Sequence, residues 1–191
     1  IVGSGGVLSH APRREQSAKM LIDSFLPEGI TALAVDSIFM MPQLGVMANI
    51  EKKEIAKQAR IAALEVFEKD CLIRLGTCIA PVGNFEGKKN ILKAILEFSS
   101  GERKEISLDS GQLLMINADY QEIDILLTPS SGVDVGAGVN EEVQTKIYGG
   151  KVGVIFDCRG RPLKFSSNTN ERISKLENWS SALEEYPSLE V

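Results

Sequence analysis

The chain begins with a short apolar segment that leads directly into a glycine turn. Ile1 and Val2 are β-formers, glycines occupy three of the next four positions, and the sequence then continues Val7-Leu8-Ser9-His10. Glycine accepts positive φ values and lets a ligand approach the main chain, while the N–H groups at a helix start attract anions or polar ligand edges. The turn is therefore a candidate binding site at the end of a strand.

The same turn also has an ordinary interpretation as a strand-to-helix connection. The dinucleotide fingerprint requires a third, later glycine and an acidic residue about 20 positions on, and Gly3-x-Gly5-Gly6 does not satisfy it. A natural chain seldom starts inside a buried strand, and no Met precedes Ile1. We therefore expect a further domain before this segment.

The pattern of residues 1–36 predicts a βαβ unit. Ala18, Leu21, Ile22 and Phe25 recur at helical spacing, which predicts a helix over residues 12–26. The apolar run 30–35 is typical of a parallel strand that is covered on both faces. Asp36 would then lie at a carboxyl strand end, in one crevice with the glycine turn. The alternative is that Asp36 caps the segment 37–41.

The next part of the chain is strongly apolar and then helical. The run 38–47 contains methionines that suit irregular core gaps, so we expect most of it to be buried. A helical stripe then predicts a connecting helix over residues 51–69.

From Cys71 onward, short runs of β-formers alternate with Gly, Asn and Asp, a texture typical of an all-β barrel or sandwich. The predicted strands are 72–80, 91–98, 104–108, 113–117, 122–127, 143–148, 152–157 and 162–165. The turns at Gly149-Gly150 and at residues 158–161 should each close a hairpin. An amphipathic helix anchored by Trp179 follows, with Asn168 as its cap.

Two loops of this β-rich part invite a functional interpretation. Residues 132–138 combine glycines with Asp134 and could approach a ligand or metal, although a hairpin loop or bulge explains them equally well. Arg159 and Arg161 could hold a phosphate or a partner carboxylate. Pairing between Arg159 and Asp157 across their own turn is the simpler interpretation.

A series of motifs along nearly the whole chain carries a family resemblance. In order they are residues 3–12, Pro27-Glu28-Gly29, Val35-Asp36, 41–48, Leu75-Gly76-Thr77, 79–83, 132–138, 149–153 and 157–163. Together they resemble MutL, the accessory protein family of adenosylcobalamin-dependent glutamate mutase, which is unrelated to the mismatch-repair protein of that name.

The resemblance implies a member of the actin, Hsp70 and sugar kinase class of ATPases. In that class a glycine turn after a late strand contacts the adenosine of ATP, while two phosphate loops lie far upstream. The implied cofactor-binding residues are Gly3, Ser4, Gly5 and Gly6, with Asp36 in the same crevice. The phosphate loops that hold ATP and Mg²⁺ fall outside this sequence, so we expect the chain alone not to hydrolyse ATP.

These observations predict a fold with an α/β part followed by a β-rich part. Residues 1–70 form the end piece of an actin-like ATPase α/β domain, and residues 71–191 form a β-barrel or β-sandwich domain with a C-terminal helix. A chain of 191 residues with 43% hydrophobic content is long enough for two small cores.

Composition excludes several classes of function. The net charge is -5, and there is no basic run of the kind that binds nucleic acid. No apolar run reaches the 18 or so residues that span a bilayer, so a cytoplasmic protein is the default expectation. Three widely spaced cysteines predict buried thiols rather than a zinc site or disulfides. The single histidine, His10, suits a turn better than a catalytic base.

Three hypotheses of function remain open. The first is an ATP-dependent reactivating chaperone whose partner is a cobalamin-dependent mutase or aminomutase. The second is an ATP-dependent enzyme of the related hydantoinase or oxoprolinase class, and the third is a noncatalytic binding module. Leu8 occupies the acidic position of the motif that supplies the lower cobalamin ligand, so any cobalamin belongs to the partner.

Overall fold

The computed structural model describes residues 1–50 and 53–186 as a mixed α/β protein in three layers. The α-helices are α1 (Gly6–Ser9), α2 (Arg14–Phe25), α3 (Met41–Ala48), α4 (Lys53–Val66) and α5 (Thr169–Ala182). The strands are β1 (Val2–Gly3), β2 (Gly29–Asp36), β3 (Leu72–Ala80), β4 (Val82–Gly83), β5 (Leu92–Phe98), β6 (Arg103–Leu108), β7 (Leu113–Ile116), β8 (Glu122–Pro129), β9 (Val133–Asp134), β10 (Val143–Tyr148) and β11 (Gly153–Asp157).

The middle layer is a five-stranded sheet in the order β1-β2-β3-β11-β7. Strands β1 and β2 are parallel, with Val2 opposite Ala34 and Gly3 opposite Val35, which confirms the predicted βαβ unit. Strand β2 also pairs antiparallel with β3 along its whole length. The sheet therefore contains strands from both sides of residue 70, and the domain division at that residue stays a prediction.

An antiparallel sheet in the order β10-β8-β5-β6 packs on one face of the five-stranded sheet. Their shared core contains alternate residues of β8, namely Ile123, Ile125 and Leu127, together with Phe156 of β11. The strict alternation of buried and outward residues in β8 follows from the period of two in a strand. The arrangement is a sandwich of two open sheets, and among the described residues no sheet closes into a barrel.

Helices α2 and α5 cover the opposite face of the five-stranded sheet. Leu21 and Ile22 of α2 and Trp179 of α5 share a second core with residues of β2, β3 and β11. Helix α2 falls within the predicted range because its apolar residues recur at helical spacing. The Asn168 side chain accepts hydrogen bonds from the N–H groups of Asn170 and Glu171, which confirms the predicted cap of α5.

Helices α3 and α4 pack on each other as a hairpin with a small core of their own. The expectation that most of the run 38–47 is buried is wrong, since Leu44 is buried but Val46 is 75% exposed and Ile38 is 56% exposed. This core is small, with α3 packed on Ala63 of α4 and on Cys71 of the following turn, so one face of a short helix is enough to fill it. The predicted helix 51–69 corresponds to α4 and a π-helical turn, Phe67–Cys71, although residues 51–52 lie outside the described residues.

Both predicted hairpins after residue 148 are wrong. Strands β10 and β11 lie in different sheets, so Gly149-Gly150 connects the sheets instead of closing a hairpin. A Cβ on Gly150 would lie 2.6 Å from the carbonyl oxygen of Arg74, so the connection between the two sheets requires glycine at this position. Residues 162–163 lie in a turn and residues 164–165 have no regular structure, so the strand predicted at 162–165 is absent from this described segment.

Candidate functional site

The glycine turn lies at the carboxyl ends of the two parallel strands, β1 and β2. Gly5 has a φ of +119°, which only glycine adopts readily, and a Cβ placed on Gly5 or Gly6 would meet no atom within 4 Å. Gly3 differs, because it is buried and its added Cβ would lie 2.7 Å from Leu8 Cδ1. The open side of the turn is thus Gly5 and Gly6, whereas Gly3 serves packing.

Asp36 joins the turn to the start of α3. Its carboxylate accepts hydrogen bonds from the Ser4 hydroxyl at 3.1 Å, from Met40 N–H at 3.1 Å and from Met41 N–H at 2.8 Å. The residue is fully buried. The structure therefore brings Asp36 and the turn together, and it also realises the alternative in which Asp36 caps the following segment.

The electrostatic state of Asp36 follows from these contacts. Burial by itself raises the pKa of the Asp36 carboxyl, but the hydrogen bonds from Met41, Met40 and Ser4 outweigh it and place the pKa below its usual value. Asp36 is ionised at neutral pH, and its negative charge is satisfied by protein donors. The carboxylate therefore fixes the positions of the Ser4 hydroxyl and of the first N–H groups of α3.

Sequence reasoning missed Ser9, which also fixes the turn. The Ser9 hydroxyl donates to the carbonyl oxygen of Asp36 at 2.5 Å, and the Ser17 hydroxyl donates to the carbonyl oxygen of Leu8 at 2.9 Å. Both serines are buried. No local pattern reveals the role of Ser9, since its partner lies 27 residues away in the sequence.

The glycine-rich loop 132–138 lies at the other end of β2. Asp134 Oδ1 accepts the N–H groups of Gly136 at 2.6 Å and Gly138 at 3.0 Å, so this carboxylate braces its own loop. The loop contacts the first residue of β2, where a Cβ on Gly29 would lie 3.3 Å from Gly136 Cα. At about 3.3 Å per residue, the eight-residue strand separates the loop from the turn by about 23 Å.

Arg159 pairs with Asp157, as the simpler interpretation predicts, and Arg161 pairs with the same carboxylate. Asp157 is fully buried and accepts from Arg159 Nε at 2.8 Å and from Arg161 Nη2 at 2.8 Å. Arg159 also reaches Asp23 of α2 at 2.7 Å, and its guanidinium carbon lies 5.1 Å from the centre of the Trp179 ring. This network ties β11 to both covering helices.

The remaining chemically active side chains show no catalytic arrangement within the described part of the chain. Cys71, Cys78 and Cys158 are free and buried, as predicted, and burial raises the pKa of Cys78 to about 12. His10 is exposed at the end of α1. Within residues 1–50 and 53–186, no group of three or more His, Cys, Asp or Glu side chains is placed to hold a metal ion. None of the helices described combines the length and apolar character needed to cross a bilayer.

The fold and the turn together define a mixed α/β protein with an open glycine turn at the carboxyl ends of parallel strands, which is where open α/β sheets place ligands. Residues 1–64 match the family model described as MutL protein. The match covers 64 of the 191 residues and supports, for that part of the chain, the resemblance to MutL that the motifs indicate. No curated protein and no solved structure matches the chain. The family resemblance beyond residue 64 stays a prediction.

Proposed function

We propose that this chain is part of an ATP-dependent accessory protein that reactivates an adenosylcobalamin-dependent mutase of the glutamate mutase or aminomutase type. The match of residues 1–64 to the MutL family carries the proposal, because that segment contains the whole glycine turn and Asp36. In this proposal the chain supplies contacts to the adenosine of ATP and a surface for the mutase.

The geometry of the turn supports an adenosine-contacting role. Gly5 and Gly6 have open space where a side chain would stand, so a flat ring can approach their backbone. Ser4, Gly3 and Asp36 hold this backbone in place by hydrogen bonding and packing. We assign the contacts to Mg²⁺ and to the phosphates to the loops expected outside this sequence.

A substitution of Gly6 by Ala tests the adenosine role. Gly6 is helical and has open space around it, so a methyl group adds bulk at the proposed contact without backbone strain. We expect Gly6→Ala to weaken adenosine binding at least about fivefold, as measured by calorimetry and by amide chemical shifts of Gly5, Gly6 and Val7. A loss of this size corresponds to about 1 kcal/mol, comparable to one net polar contact.

Gly45→Ala is the matched control. Gly45 is also helical with open space, but it lies on α3. Adenosine should bind this variant as it binds the unchanged chain. Equal adenosine affinity in Gly6→Ala and Gly45→Ala would mean that the turn is an ordinary strand-to-helix connection and not an adenosine contact. Binding of 5-oxoproline by the unchanged chain would instead favour the hydantoinase or oxoprolinase class.

The mutase surface is proposed to include the loop of residues 129–142. Loops on a rigid sheet commonly carry binding contacts, and the tip residue Val139 is 57% exposed. The internal hydrogen bonds of Asp134 and Asn140 keep the loop in one shape, so little conformational entropy is lost when a partner binds it.

We expect Val139→Asp to weaken binding to glutamate mutase at least tenfold in a pull-down or interferometry titration. Adenosine binding should persist, because the loop and the turn lie at opposite ends of β2. Ile173→Asp is a suitable control, since Ile173 is a comparably exposed apolar residue, at 48%, on α5. Mutase binding that is unchanged by Val139→Asp would remove the loop from the proposed surface.

A further inference from the structure

The structure places one buried carboxylate between the glycine turn and the start of α3. On one side, Asp36 Oδ2 accepts the hydroxyl of Ser4 from the glycine turn. On the other, both of its carboxylate oxygens accept the first N–H groups of the α3 segment, from Met40 and Met41. The Asp36 main chain is held as well, by Ser9 at the end of α1.

Among its described residues, the hairpin of α3 and α4 packs mainly within itself and on the π-helical turn. Its small core contains Leu44, Ala63 and Cys71 and is distinct from the two large cores. Along α4, Ile61 and Leu64 are about half exposed. The position of the hairpin thus depends on its connections at Asp36 and at the π-helical turn, where Ser37 N–H and its hydroxyl both donate to the Cys71 carbonyl oxygen.

We infer that Asp36 is a positioning residue that couples the glycine turn to the α3–α4 hairpin. A change at Ser4 alters a hydrogen bond to the Asp36 carboxylate. The same carboxylate accepts the N–H groups of Met40 and Met41, so its position determines where α3 begins. The inference rests on the proposed function only for the identity of the ligand, which is adenosine bound at Gly5 and Gly6. The mechanical link itself consists of hydrogen bonds within this chain.

The first test uses no ligand. Ser4→Ala removes the hydroxyl donor from an exposed residue, so the fold should persist. We expect amide hydrogen exchange in α3 to become roughly two- to tenfold faster, as expected when a carboxylate loses one hydrogen bond. Exchange in β5, in the other sheet, is the internal reference and should not change.

Ser24→Ala is the matched control, because Ser24 is an exposed serine on α2. Its α3 exchange rates should equal those of the unchanged chain. Equal α3 rates in Ser4→Ala and Ser24→Ala would overturn the coupling.

The second test adds adenosine. In the unchanged chain and in Ser24→Ala, adenosine should shift the Gly5 and Gly6 amides and slow exchange in α3. Ser4→Ala is compared at adenosine concentrations that saturate each protein, whatever its affinity, so that the Gly5 and Gly6 shifts report only that the ligand is bound. At equal occupancy the response of α3 should be lost in Ser4→Ala, an effect that a purely structural role of Ser4 would not produce. If adenosine shifts the glycines and leaves α3 unchanged in all variants, the coupling is wrong. If adenosine shifts nothing, the proposed adenosine role fails, and the ligand-free comparison alone decides the coupling.

Discussion

At the scale of single residues, two glycines in the five-stranded sheet are required because their backbones lie very close together. Gly76 of β3 has a φ of +139° and stands opposite Gly153 of β11. A Cβ on Gly76 would lie 1.8 Å from the Gly153 carbonyl oxygen, a distance that no side-chain rearrangement relieves. The middle of the five-stranded sheet therefore depends on this pair of glycines.

This contact yields a prediction for stability. Gly76→Ala should lower the free energy of unfolding by at least about 2 kcal/mol, since it combines an unfavourable φ with a backbone clash. Gly45→Ala, in the open space of α3, should be neutral or stabilising by up to about 1 kcal/mol. Urea denaturation followed by circular dichroism measures both. Similar midpoints for the two variants would mean that β3 and β11 can separate without cost.

At the scale of elements, the network around Asp157 links the two covering helices to the sheet, in addition to the apolar core that they share with it. Arg159 contacts Asp157 of β11, Asp23 of α2 and the Trp179 ring of α5. Trp179 also donates its indole N–H to the Gly111 carbonyl oxygen at 2.9 Å. The loss of Arg159 removes two hydrogen bonds from the buried Asp157 carboxylate, whose ion pair with Arg161 remains.

We therefore expect Arg159→Ala to lower the free energy of unfolding by about 1.5–3 kcal/mol, the usual contribution of hydrogen bonds to a charged group. Lys164→Ala removes one member of the Lys164–Glu86 pair, whose side chains are 68% and 76% exposed, and should leave stability nearly unchanged. Thermal unfolding of the two variants provides the comparison. Equal losses would show that burial does not distinguish the two pairs.

The same network predicts how stability depends on pH. Burial raises the pKa of Asp157, but the hydrogen bonds and charges of Arg159 and Arg161 outweigh it, so its pKa is below the usual value in the folded chain. The ionised carboxylate thus contributes stability above the unfolded-state pKa of about 3.9, and this contribution is lost as the pH falls through the lower, folded-state pKa. In Arg159→Ala the folded-state pKa should lie closer to the unfolded-state value, so the loss of stability between neutral and acid pH should be smaller than in the unchanged chain. Urea denaturation across a pH series measures this difference.

At the scale of the whole molecule, the central sheet joins the first 36 residues to the β-rich part. Strand β2 pairs with β3 from Gly29 opposite Ala80 to Asp36 opposite Leu72. Strand β2 is thus enclosed by β1 on one side and by β3 on the other, with the glycine turn at one end and loop 132–138 at the other. A signal between the proposed nucleotide site and the proposed mutase surface would have this strand as its shortest path.

Division of the chain at residue 70 tests how independent its two parts are. Residues 71–191 alone would expose the edge of β3 and the core residues that α2 covers, including Leu75. We expect this piece to show lower solubility and a lower unfolding midpoint than the intact chain, with recovery when residues 1–70 are co-expressed. A piece 71–191 that folds with unchanged stability would support two independent domains.

Local sequence was sufficient for most elements and for the location of the candidate site. Periodicity predicted α2 and β2, and β-formers between turn residues predicted β3 with the bounds it has. The turn at residues 3–6 and Asp36 were both recognisable because glycine positions and strand ends are local features. These properties depend on side chains a few residues apart, so one segment contains all the information they need.

Tertiary structure decided how these elements combine. The assignment of β10 and β11 to different sheets, the exposure of α3 and the partner of Ser9 depend on segments distant in the sequence. The Asp36 carboxylate likewise accepts hydrogen bonds from Ser4, Met40 and Met41, and only the fold brings Ser4 to the start of α3. Hydrophobic burial and hydrogen bonding across long sequence separations settle such choices, because local preferences are satisfied equally well by the alternatives.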